Sequence, residues 1–241
     1  MEGGSEQAAR TKSSYQKWRG KAAIAGCIVV GAAAVSFIVA EGRDDEPGPV
    51  SVISGSDRFY SFGLQDWVSF ADAVVVVEVT AEERIPPTSE EERRGESYLT
   101  RVVTLAVQET PWSRPDGQRP PEVVEIVTSG WVLRAGFEVP TRSAGAPRLE
   151  VGKTFLLPIL QIDGEGWMPL SPRSMMSVDE SGALVPGDEE NYTDAVDALR
   201  GRTVAGAAEL LASTPPHPEL SAVDATAGPV ERMTAVYGEF G

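Results

Sequence analysis

Ala73-Val74-Val75-Val76-Val77-Glu78-Val79-Thr80 is the stretch on which the fold turns. Its valines are stiff at χ1 and pack well on a pleated surface, so the run predicts a buried strand. Further on, Tyr98 to Glu109 turns Val103, Leu105 and Val107 to one side, the alternation of a half-buried strand, and the two are predicted to pair. More strands are predicted at Glu122 to Ser129, Lys153 to Ile162, Gly166 to Leu170, Met175 to Val178 and Ala183 to Val185. Asp163-Gly164 and Ser181-Gly182 punctuate them as turns. Pro158 lacks a ladder donor, which predicts an edge or a bulge for its strand.

Helical signals are few. Leu64, Trp67, Val68 and Ala71 follow a 3.6-residue period, so a short amphipathic helix with Trp67 turned inward is predicted there. Ser89 to Glu92 forms a capping box, with Arg93 and Arg94 at the end and Gly95 as a stop. Thr193 is placed to cap Asp194 to Arg200, with Gly201 ending it, and Thr203 to cap Val204 to Ala212. Pro215, Pro216 and Pro218 predict an extended, mobile tail over residues 214–241. Many short strands, few helices and no βαβ alternation predict a mainly β fold: a small antiparallel barrel or sandwich with short peripheral helices. Trp67, Val74, Val76, Val103, Leu105, Leu156 and Ile159 are its predicted core.

Ahead of that domain, residues 22–40 are uncharged and long enough to cross a bilayer as one transmembrane helix. Arg10, Lys12, Lys17, Arg19 and Lys21 precede the span, whereas Glu41, Asp44, Asp45 and Glu46 follow it with only Arg43. The positive-inside rule then makes residues 1–21 a cytoplasmic tail, and the plasma membrane the site of a single-pass chain. Residues 41–57, rich in Pro, Gly, Ser and acid, read as a flexible stalk, and residues 58–213 as the extracytoplasmic domain. Cleavage after Ala40 would put Ile38 where a signal peptidase takes a small residue.

The formal charge of -15 is unevenly placed. Beyond residue 40 lie 34 acids against 15 arginines and a single lysine, Lys153. No basic stripe is available for a phosphate backbone, which argues against nucleic acid as a partner. Cys27, the only cysteine, lies within the apolar span, so the outer domain has no disulfide and no thiolate for catalysis or zinc. His217, the only histidine, sits in the proline-rich tail, where an orienting partner is hard to supply. No metal cage or cofactor motif is present, and no catalytic set is assembled in the sequence.

Two kinds of candidate remain. Trp112, Trp131, Trp167, Met175 and Met176 are residue types that line adaptable ligand grooves. Asp66, Asp72, Glu78 and Glu125 are acids beside apolar segments, where a carboxylate pair for glycoside hydrolysis would be sought.

Leu64-Gln65-Asp66-Trp67-Val68, Ala71-Asp72-Ala73-Val74-Val75-Val76 and Leu149-Glu150-Val151-Gly152-Lys153-Thr154-Phe155-Leu156-Leu157-Pro158 resemble segments of a group of uncharacterised exported, membrane-anchored actinobacterial proteins with a small β-rich domain. The resemblance spans residues 60–185 and implies bacterial export and a β-rich fold, with no activity or functional residue attached. The reading that follows is a membrane-tethered extracytoplasmic binding or protein-interaction module without catalysis, its partner an envelope protein or a small molecule. The alternative is a cell-envelope hydrolase with a carboxylate pair.

Overall fold

The computed structural model describes residues 50–53, 57–94, 98–134, 137–188 and 192–238. The predicted transmembrane segment and cytoplasmic tail lie outside these residues. No helix among the described residues is long and apolar enough to cross a membrane.

The strands are β1 (Ser51–Ile53), β2 (Ala73–Ile85), β3 (Tyr98–Ser113), β4 (Val123–Arg134), β5 (Phe137–Ser143), β6 (Thr154–Ile162), β7 (Gly166–Pro169), β8 (Met176–Val178) and β9 (Leu184–Pro186). They form one sheet in the order β1-β5-β4-β3-β2-β6-β8-β9, with β7 also paired to β6. Every pairing is antiparallel except β1 with β5. The sheet curls into a half-barrel, so the mainly β reading holds, while the strand path stays open instead of closing into a barrel. β2 and β3 do pair, with Val79 opposite Leu105.

The valine run is apolar on both parities because both faces of β2 are covered. Val74 and Val76, with Leu156 and Leu160 of β6, lie under the helices on one face. Val75, Val77 and Val79 face the other way, against Val103, Leu105, Ile126, Leu157 and the Ala146 to Leu149 connection. All seven predicted core residues are buried.

The helices are α1 (Leu64–Phe70), α2 (Ser89–Arg94), α3 (Asp194–Leu199), α4 (Val204–Ser213) and α5 (Pro229–Tyr237). Thr193 Oγ1 accepts from the Val196 amide at 3.4 Å and Thr203 Oγ1 from the Gly206 amide at 3.2 Å, which are the predicted caps. Trp67 of α1 is wholly buried, and its indole N–H donates to the Ser61 carbonyl.

Three features differ from the sequence reading. Pro158 lies on β6, a strand flanked on both sides. The Ile159 carbonyl accepts from Asp72 on the β2 side, so the position before it faces the other way, where the Pro158 carbonyl accepts from Leu170. The missing N–H falls between the end of the β8 ladder at Leu156 and the start of the β7 ladder at Ile159, so no ladder bond is lost there. Ser51–Ile53, inside the predicted stalk, instead pairs in parallel with Thr141 to Ser143. The predicted extended tail contains a 3-10 turn (Pro218–Ala222) and α5, and buries Arg232 and Met233.

Candidate functional site

Two buried acids mark the ends of helix α1, Asp66 in its first turn at 3% exposure and Asp72 two residues beyond Phe70 at 2%. Asp66 Oδ2 accepts from the Gly63 amide at 3.0 Å and so caps the helix. Its Oδ1 accepts from the Tyr237 hydroxyl at 2.6 Å and lies 2.8 Å from His217 Nε2. A carboxylate only accepts, so Nε2 is the donor in this contact. The His217 amide donates to Ser69 Oγ at 2.9 Å, and the imidazole stacks on Phe70 with centroids 5.7 Å apart. Burial, with Asp66 beside it, raises the Tyr237 pKa.

Asp72 anchors the same segment from the other end of α1. Its Oδ1 accepts from Arg114 at 3.0 Å and Arg232 at 3.4 Å, and its Oδ2 from the Gln161 amide at 2.9 Å. The buried Arg232 also donates to the carbonyls of Ser69, Phe70 and Ala227, two of which are orphan acceptors at the end of α1. Burial, reinforced by the Arg114 charge, lowers the Arg232 pKa against the opposing pull of Asp72. This arrangement clasps residues 216–237 onto α1. Among the described residues, the only hydroxyl that bonds the His217 ring is that of Tyr237, at 3.4 Å, so no serine or threonine nucleophile is poised there.

Of the other two acid candidates, Glu78 and Glu125 are exposed on the sheet surface. The groove candidates are spread over the molecule. Met176 and Trp112 belong to the helix-side core, whereas Met175 and Trp167 pack in the core on the opposite face. Trp131 is half-buried, with the guanidinium groups of Arg84 at 4.6 Å and Arg148 at 5.2 Å from its ring centre.

A cleft of about 390 Å³ opens where the connection after β5 passes β6 and β8. Arg142, Arg148, Lys153 and Glu150 bring charge to its wall, and Thr154 and Ser177 bring hydroxyls. Arg148 is fixed: one guanidinium nitrogen donates to the carbonyls of Gly130 at 2.8 Å and Thr141 at 2.6 Å. Arg142 donates to the Ala146 carbonyl at 3.2 Å and to Asp188 at 3.3 Å. Gly187 closes the wall by lying so near the chain at Ala146 and Pro147 that a Cβ there would meet Pro147 N at 2.0 Å.

Sequence reasoning passed over this cluster because its members alternate with apolar core residues within 142–155 and are joined by 177–178 and 186–187 only through the fold. The one available signal was Lys153, the sole lysine beyond residue 40. Compared with known protein families, curated proteins and solved structures, the chain matches none.

Proposed function

We propose that the chain is a membrane-tethered, extracytoplasmic binding module without catalytic activity, and that its ligand seat is the cleft between the Arg142 to Glu150 segment and strands β6 and β8. The observation that carries this reading is the convergence of two held guanidinium groups, a lysine and two hydroxyl residues on one concavity of ligand size. Trp131, one of the groove candidates, supports the seat from behind through Arg148. The tether rests on the uncharged run of residues 22–40 with basic residues before it and acids after it. The resemblance to exported actinobacterial proteins points the same way. A carboxylate-pair hydrolase is less favoured, because Asp66 and Asp72 each spend their oxygens on protein donors.

Ligand-observed NMR on the full chain in nanodiscs, against a small-molecule library, tests the seat. Ser177→Trp, or the smaller Ser177→Phe, fills the cleft and should abolish binding while leaving the melting temperature near that of the parent. Ligands indifferent to both fillings would overturn the assignment. Turnover of envelope polysaccharide that Asp66→Asn or Asp72→Asn abolishes would replace it with the hydrolase. For topology, protease added to intact protoplasts should remove the region after Glu41, and full protection of that region would refute the orientation.

A further inference from the structure

We propose that the cleft takes an anion: a small soluble ligand bearing a phosphate or carboxylate group next to a short apolar portion. The inference rests on reading the cleft as the ligand seat, and adds the chemical class of what sits there.

Local charge of the opposite sign to the domain is the starting point. Residues 41–241 carry about two acids for every base. Around the cleft the balance reverses. Arg142, Arg148 and Lys153 are on its wall, and Arg101 stands behind Arg148 close enough for their charges to oppose each other. The acids facing these groups are Glu150 on the wall, Asp188 on Arg142 and Glu82 on Arg101. Among the described residues, four cations meet three acids there.

The cations differ in how far they are already matched. Arg101 is buried and bonded to Glu82 and to the Ser129 carbonyl. Arg142 has Asp188, but at 3.3 Å. Arg148 donates to the neutral carbonyls of Gly130 and Thr141, and burial together with Arg101 lowers its pKa against Glu82 and Glu150. Its charge is under-compensated. Lys153 makes no ion pair with another described residue. It follows Gly152, which takes a φ of 80° in the turn where the Lys153 amide donates to the Glu150 carbonyl. The lysine is therefore launched from a fixed backbone.

An anion entering here meets two guanidinium groups already held in place, so the ordering entropy opposing binding falls mainly on the Lys153 side chain. Thr154 and Ser177 add hydroxyl donors beside the cations, and Val178 and Pro186 offer apolar surface to the rest of the ligand. A metal cation is disfavoured by the sign of the site. A long polyanion is disfavoured by the acidic surface around it.

The experiment uses the full chain in nanodiscs of zwitterionic lipid and isothermal titration with butyl phosphate, butyrate and uncharged butanol. Saturable binding of either anion, none of butanol, and weakening as salt rises are the expected results. Lys153→Gln and Arg142→Gln should each weaken the anion by about tenfold, the scale of one lost charge-assisted hydrogen bond, whereas Lys153→Arg should retain most of it. Lys153 is exposed, so its replacement does not threaten the fold. Butanol binding as well as the anions, or anion binding indifferent to both charge removals, would overturn the inference. If no probe binds while library ligands are still expelled by Ser177→Trp, the anion class falls and the seat stands. If anions bind and Ser177→Trp leaves them in place, the seat falls with the inference.

Discussion

At the scale of single residues, burial decides which side chains hold the molecule together. Trp67 is fully enclosed among Phe59, Phe70 and the core under the helices, so Trp67→Ala should cost about 3 to 5 kcal/mol in a urea titration of the chain. A variant as stable as the parent would refute its place in the core. Asp72 is the more telling acid. Its carboxylate answers Arg232, itself 4% exposed, and Arg114, so Asp72→Ala leaves two cations without their countercharge. A loss of about 3 to 5 kcal/mol is expected for removing one side of a buried pair. Exchanging Glu78, exposed on β2, for Ala should change little, and this contrast separates a buried pair from surface charge. The sequence reading singled out Asp66 and Asp72 together with Glu78 and Glu125, as acids beside apolar segments, and the structure buries only the first two. That reading had no access to their partners, since His217 is 151 residues from Asp66 and Arg232 is 160 from Asp72.

Among the elements, those with strong local signals were legible. The valine run specified β2, the threonine caps specified α3 and α4, and the period of Leu64 to Ala71 specified α1. β5 was not, because Phe137-Glu138-Val139-Pro140-Thr141 carries a proline and too few apolar residues on one parity to read as a strand; its place is fixed by pairing with Trp131 to Arg134. α5 was missed for another reason. The prolines at 215, 216 and 218 dominated the reading of the tail, yet Pro229 at the first helical position and Gly238 at a φ of 82° bracket a helix in the usual way. The clasp it completes has a measurable role. A chain ending at Thr214 loses His217, Arg232 and Tyr237 together, so the last carbonyls of α1 lose their donors and Phe70 loses its cover. Amide exchange across Leu64 to Asp72 should then accelerate well before that of β2 and β3, whose ladder is untouched. Unchanged protection of α1 in the shortened chain would show that the tail packs there without supporting it.

For the whole molecule, the acid excess makes pH the natural probe of stability, and the sign can be worked out group by group. The Arg58 guanidinium bonded to Glu165 holds that carboxylate below its ordinary value of 4.5. Asp179, held by the Ser181 hydroxyl and the Ala183 amide, and Asp224, held by the Thr226 hydroxyl and amide, lie below their ordinary 3.8. A carboxylate with a lowered folded pKa contributes stability above its unfolded value and loses it as pH falls through the folded one. These three groups therefore favour the fold near neutrality and give way in acid. Asp57 runs the other way. Burial raises its pKa despite Arg173, so its contribution is full below the unfolded value and is lost as pH rises through the folded one. With three groups against one, urea midpoints should climb as pH rises from about 3 to 5. Glu165→Gln should flatten that climb and Asp57→Asn should steepen it, because each removes one contribution of known sign. The Glu165 contribution should also shrink in high salt, since both partners of that pair are partly exposed. A climb that Glu165→Gln leaves unaltered would show that the Arg58 pair does not survive in solution, and a climb that Asp57→Asn flattens would mean that Arg173, not burial, governs that carboxylate.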